Sequence, residues 1–190
     1  MTVAVLTGVP GVGATTVAER SLELLEDREV EYEIVSFGTQ MLETAKDEGL
    51  VENRDELRKL PSDQQKEIQA QAGERIAEMA EDSNVLVDTH CAIKTPEGYL
   101  PGLPEWVLEG LQPDTIALIE TDPEEILFRR IDDETRDRDF ERTGEIDTHQ
   151  NMNRSAAMSY ATLTGATVKI VKNPDGGVDE AAENLADTLE

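Results

Sequence analysis

Apolar residues fall along this chain in two rhythms. Short continuous runs such as Val3-Ala4-Val5-Leu6, Val85-Leu86-Val87 and Ile116-Ala117-Leu118-Ile119 alternate with longer stretches in which apolar positions recur every three or four residues. The runs predict strands over 2–7, 32–36, 84–88, 114–120 and 166–171. Several lack any polar alternation, as strands buried on both faces should. The longer stretches predict helices over 14–28, 39–48, 52–58, 62–82, 104–110, 123–134, 146–163 and 177–189. Pro61, Pro104 and Pro123 stand at or near helix starts, and Gly49, Gly110 and Gly165 where helices should stop. In the helix over 146–163, Met152, Ala156, Ala157 and Tyr160 share one face and read as core. Strand alternating with helix is the mark of an α/β fold with a parallel sheet and crossover helices.

Two intervals break the alternation. Residues 37–83 are too many for one crossover and read as a helical insertion. Residues 132–145, from Asp132 to Glu145, are intensely charged and almost free of apolar side chains. They can add little to a core and read as a surface loop or flap.

The first strand runs into Gly8-Val9-Pro10-Gly11-Val12-Gly13-Ala14-Thr15-Thr16, and a helix follows. This is a phosphate-binding loop with one member changed. The pattern is Gly, four residues, Gly, Lys, then Ser or Thr, and Ala14 stands where the lysine belongs. Bare glycine backbone can wrap phosphate oxygens with its N–H groups, and the helix start favours the same anion. Thr15 has the hydroxyl a Mg²⁺ ion needs. Asp88 ends a second buried strand, where such enzymes place a carboxylate in the Mg²⁺ shell; taken alone it reads equally as a turn cap. His90 and Cys91 follow it. With His149 as the one other histidine and no second cysteine, a zinc site is not expected. His90 reads as a polar wall of a cleft and Cys91 as a small packed residue.

Composition narrows the partners. The formal net charge is −25, from 42 acidic and 17 basic residues, so nucleic acid is not expected as a partner. The acid is dispersed along a folded pattern, not gathered in a tail. That suits a high-salt cytoplasm, where salt screens self-repulsion, and it predicts loss of structure in dilute buffer. No apolar run approaches the roughly 20 residues of a membrane span. The first apolar run is also too short, and lacks the basic lead, for a signal peptide. A cytoplasmic protein without membrane or disulfide is the expectation. Against this background the arginines stand out. Arg129, Arg130, Arg136, Arg138 and Arg142 lie in one short stretch, and Arg54 and Arg58 form a second group. Arginine suits planar phosphate recognition. The first cluster suits a closing flap that stabilises charge developing during phosphoryl transfer and excludes water.

At these residues the chain resembles a known family. Thr7-Gly8-Val9-Pro10-Gly11-Val12-Gly13, Arg54-Asp55-Glu56-Leu57-Arg58-Lys59-Leu60 and Val87-Asp88-Thr89-His90 are similar to the archaeal adenylate kinases. So are the segment from Lys94 to Pro104, Thr135-Arg136-Asp137-Arg138-Asp139 and Leu163-Thr164-Gly165-Ala166-Thr167-Val168-Lys169. The resemblance covers nearly the whole chain, and with the charge it points to a halophilic archaeon.

The resemblance implies the P-loop nucleoside-monophosphate kinase fold: a five-stranded parallel sheet flanked by helices, a helical insertion for the acceptor monophosphate, and a short lid. On this chain that means one domain over 1–190, with a core of 1–35, 83–131 and 146–190, an insertion over about 36–82 and a lid over about 132–145. It implies reversible Mg²⁺-dependent transfer from ATP to AMP giving two ADP, without covalent intermediate, and a homotrimer. Gly8, Val9, Pro10, Gly11, Val12, Gly13, Ala14, Thr15 and Thr16 become the ATP loop. Arg136 and Arg138 become lid residues reaching the transferring phosphates, with Asp88 as the third catalytic candidate and, with Thr15, the Mg²⁺ candidate. Ser36-Phe37-Gly38-Thr39 resembles the start of the AMP site. Glu43 stands where ordinary adenylate kinases have an arginine, which leaves Arg54, Arg58 and Lys94 as candidates for the acceptor phosphate. Members of the family carry either lysine or a small residue at the position of Ala14, and Arg136 and Arg138 are expected to stand in for the missing charge. The alternatives are a related kinase with another monophosphate or a small hydroxyl acceptor, and a non-catalytic nucleotide-binding regulator.

Overall fold

The computed structural model describes residues 1–57, 59–132 and 142–190. Arg58, Arg136 and Arg138 therefore lie outside the described residues.

Five strands form one parallel sheet: β1 (Val3–Gly8), β2 (Tyr32–Ser36), β3 (Asn84–Asp88), β6 (Thr115–Glu120) and β7 (Thr167–Lys172), in the order β2-β3-β1-β6-β7. Their register explains the unbroken apolar runs. Val3 and Val5, Val85 and Val87, and Ile116 and Leu118 belong to one core cluster. Ala4 and Leu6, Leu86, and Ala117 and Ile119 belong to the other. A strand with helices on both faces has no polar side.

Helix α1 (Ala14–Asp27) and α8 (Val178–Leu189) cover one face through Val17, Leu25, Ala181 and Leu185. On the other face, α4 (Ser62–Asp82), α5 (Glu105–Leu111) and α7 (Thr143–Thr164) bring Ile76, Val107, Ala157 and Tyr160. Between β2 and β3 lie α2 (Phe37–Asp47), the short α3 (Arg54–Leu57) and α4. They share a small cluster of their own, Ala45, Val51, Leu57 and Ile68. Helix α6 (Pro123–Asp132) leads from β6 toward the undescribed segment.

Three features depart from the pattern read in the sequence. An antiparallel hairpin of β4 (Ala92–Thr95) and β5 (Gly98–Pro101) follows β3. Helix α7 begins at Thr143, so the charged interval yields its last three residues to a helix. Met152 is exposed, because the buried face of α7 carries His149, Gln150 and Asn153 along with Ala157 and Tyr160.

Candidate active site

β1 and β3 are neighbours and end on the same edge of the sheet, with Leu6 paired to Asp88. The phosphate loop leaves β1 at that edge, the crevice side where parallel sheets bind ligands. Val9 and Val12 anchor the loop in the core, and the Val12 N–H donates to the Val9 carbonyl at 3.2 Å. Gly11 and Gly13 have φ of 88° and 84°, the left-handed region that glycine enters without strain. Helix α1 begins at Ala14, whose side chain packs against the core around it, and Thr15 and Thr16 are exposed in its first turn. The loop is thus folded as an anion cradle at a helix start, without a side-chain cation of its own.

The segment after β3 is tied down bond by bond. The Thr89 N–H donates to the Leu6 carbonyl at 3.1 Å, and the Cys91 N–H to Thr7 Oγ1 at 3.0 Å. The Ala92 N–H donates to Asn153 Oδ1 at 2.9 Å, and His149 Nε2 lies 2.9 Å from the Ala92 carbonyl. Tyr160 donates its hydroxyl to the Cys91 carbonyl at 2.7 Å. The polar stripe of α7 therefore replaces the partners this strand-to-hairpin turn would find in water. Burial lifts the Asp88 carboxyl above the usual carboxylate range, and nearby His90 offsets part of that shift. Cys91 is fully buried.

Beside this segment opens a cleft of about 390 Å³. Ser36, Phe37, Gly38 and Met41 line it from the start of α2, and Arg54 and Leu57 from α3. Gln65 and Gln69 of α4 join Asp88, Thr89, His90 and Ile93 on the remaining walls. Arg54 crosses so close over Gly38 that a Cβ there would lie 3.0 Å from its Nη2. The Trp106 indole N–H donates to Gln69 Oε1 at 3.0 Å, which fixes that side chain.

Of the residues singled out in the sequence, the cleft gathers Ser36, Phe37, Gly38, Arg54, Asp88 and His90. Thr39 is exposed on α2 and is not among the lining residues. Lys94 is not among them either; its Nζ pairs with Glu145 at 3.0 Å, joining the hairpin to α7. Arg58, Arg136 and Arg138 cannot be placed, since they lie outside the described residues.

Arg129 and Arg130 belong to α6, not to a flap, and they meet the phosphate loop itself. Arg129 Nη1 donates to the Val12 carbonyl at 3.1 Å, and Arg130 Nε to the Pro10 carbonyl at 2.7 Å. Asn173, just past β7, donates to the same Val12 oxygen at 2.9 Å. Sequence reading noticed the arginines by charge but had no signal for backbone carbonyls as their targets. Nothing in the sequence pointed to Asn173, which reads as a loop residue.

The AAA domain family matches residues 7–147. The adenylate kinase of Methanocaldococcus jannaschii is 60% identical over 98% of this chain and 97% of its own. That of Methanopyrus kandleri is 59% identical, with the same coverage of both chains. Solved structures agree on the fold. A shikimate kinase from Bacteroides thetaiotaomicron superposes with TM-score 0.54 at 17% identity, covering 99% of this chain and 98% of its own. A gluconokinase from Sinorhizobium meliloti reaches 0.51 at 16% identity, over 99% and 95%. A phosphate loop at the carboxyl edge of a five-stranded parallel sheet, in a chain sharing more than half its residues with these relatives over almost its whole length, places the protein in the adenylate kinase family.

Proposed function

We propose that ATP binds with its phosphates on Gly8–Thr16, that AMP enters the cleft between α2, α3 and the end of β3, and that the γ-phosphoryl group passes between them. The observation that carries this reading is the placement of that cleft. Its Asp88 wall sits at the end of the strand paired with β1, from which the donor loop departs. Donor and acceptor would then meet along one edge of the sheet. An AMP phosphate oxygen attacks the γ-phosphorus, the bond from the γ-phosphorus to the β–γ bridging oxygen breaks, and ADP leaves. The attacking oxygen is already anionic, so no general base is required. Alignment and charge neutralisation supply the acceleration.

In this reading Arg54 meets the acceptor phosphate, helped by Arg58, whereas Thr39 and Lys94 stand outside the cleft and have no part in it. Arg136 and Arg138 close over the transferring phosphates. Mg²⁺ arrives with ATP. Among the described residues no three His, Cys, Asp or Glu side chains cluster as a metal cage. One carboxylate and one hydroxyl suit an ion that takes its other ligands from phosphates and water. Asp88 and Thr15 would hold it there, and the ion would neutralise charge on the phosphates. Residues 36–82 act as the acceptor-binding insertion and 132–145 as the lid of a single domain. The chain works as a homotrimer in the cytoplasm of a halophilic archaeon, a setting that the net charge of −25 supports.

Transfer from Mg·ATP to each nucleoside monophosphate, to small hydroxyl compounds and to water, measured in molar KCl, tests the reading. AMP should exceed every other acceptor. Preference for a hydroxyl compound would make Asp88 a general base and overturn it. ATP binding without transfer would identify a regulator.

A further inference from the structure

The loop that lacks a lysine is gripped from outside by α6. The two carbonyls that Arg130 and Arg129 hold belong to the peptides Pro10–Gly11 and Val12–Gly13. A trans peptide is planar, with its C=O and N–H pointing in opposite directions. Pinning both carbonyls toward α6 therefore turns the Gly11 and Gly13 N–H groups the other way, into the loop. The positive φ of both glycines permits this. Among the described residues, neither N–H has an acceptor.

We propose that Arg129, supported by Arg130 and Asn173, is a positioning residue for ATP. It aims and polarises the loop amides and carries through the backbone part of the charge that Ala14 leaves out. The proposal rests on the reading of Gly8–Thr16 as the donor site. Arg129 is well placed to act at one remove. Its Nε and Nη2 are held by Asp175 Oδ1 at 2.8 and 2.6 Å, and its Nη2 also donates to the Asn173 carbonyl at 3.0 Å. The planar guanidinium spends its edges on protein, so it acts on the nucleotide through Val12 and not by contact. A charged donor on a carbonyl strengthens the N–H of the same peptide as a donor in turn. The grip is close enough to exclude any side chain at position 13, where a Cβ would lie 2.7 Å from Asn173 Nδ2. A lysine at 129 has one ammonium and cannot serve Val12 and Asp175 with the same fork.

The test is binding of a non-hydrolysable Mg·ATP analogue by calorimetry, with separate KM values for Mg·ATP and AMP. Arg129→Gln should weaken the analogue about tenfold or more, the scale of a lost charged hydrogen bond. KM for Mg·ATP should rise in step while KM for AMP stays within about twofold. Arg129→Lys should recover part of the loss. Ala14→Lys, added to Arg129→Gln, should recover more, because it returns the charge to the loop directly. A lower melting point with unchanged analogue binding, equal rises in both KM values, or no rescue by Ala14→Lys would each overturn the proposal. If Arg129→Gln does not fold, Asp175→Asn frees the outer end of Arg129. It should weaken the analogue without moving KM for AMP, and unchanged analogue binding would count against the proposal. Wild-type protein that fails to bind the analogue would refute the donor site itself. Wild type and Arg129→Gln binding alike would refute only the role of Arg129.

Discussion

Arg154 meets Glu120 edge to edge, with Nε on Oε1 and Nη2 on Oε2, each at 2.6 Å. This ion pair fastens α7 to the end of β6, and Lys172 of β7 joins it at 2.9 Å. Burial alone would raise the Glu120 carboxyl, but its hydrogen bonds and charge contacts with Arg154 and Lys172 win and hold it below the usual range. A depressed folded value gives stability that is complete above the ordinary Glu value of about 4.3 and is lost as pH falls through the folded one. Glu120→Gln lacks that contribution, so between about pH 5 and 3 its melting midpoint should fall less steeply than that of wild type. Arg154→Met leaves the buried Glu120 carboxylate with Lys172 alone and should cost roughly 1–2 kcal/mol at neutral pH, read from urea unfolding.

Tyr160 and Cys91 define a second, alkaline limit. Burial pushes the Tyr160 hydroxyl up to about 12 and the Cys91 thiol up to about 12. For raised values, stability is complete below the ordinary values, near 8.5 for Cys and 10 for Tyr, and is lost as pH climbs through the folded ones. At pH 8 a thiol reagent should leave Cys91 untouched in the native protein and label it in urea. Tyr160→Phe removes the bond to the Cys91 carbonyl and should cost about 1–2 kcal/mol in urea unfolding.

Gly38 tests the acceptor wall. Gly38→Ala puts a methyl group 3.0 Å from Arg54 Nη2, and the flexible arginine must yield. KM for AMP should rise by about threefold to tenfold with KM for Mg·ATP unchanged, since the displaced Arg54 lines the acceptor cleft. Equal effects on both would mean that Arg54 does not serve the acceptor.

Charge sets the working conditions. With a net charge of −25, self-repulsion opposes the compact state in dilute buffer. The melting midpoint should rise by roughly 10 °C or more between low and molar KCl, as screening shortens the reach of each charge. Equal midpoints would remove the argument for a saline setting.

The centre of the sheet was legible because β1, β3 and β6 are buried on both faces, so Val3-Ala4-Val5-Leu6 and Ile116-Ala117-Leu118-Ile119 are unbroken apolar runs. The hairpin was not. β4 and β5 have four residues each and are half exposed, and the turn at Pro96-Glu97 separated stretches too short to show a period. The buried polar face of α7 was hidden for the opposite reason. His149, Gln150 and Asn153 carry no apolar signal, yet each is buried. Two answer backbone groups of Ala92, and Gln150 answers the N–H and carbonyl of Thr121. The loop between β1 and α1 was legible in glycine spacing, whereas its outer support was not, because Arg129, Arg130 and Asn173 act on backbone carbonyls that no side-chain pattern reveals.

The central claim is that a phosphate loop with alanine in place of lysine serves one half of a working two-nucleotide site. Phosphorus NMR of the protein with Mg·ATP and AMP in molar KCl tests it most directly. ATP and AMP signals should fall together while ADP grows at twice their rate, without inorganic phosphate. ATP decaying to ADP and phosphate with AMP unchanged, or no change in any signal, would contradict it.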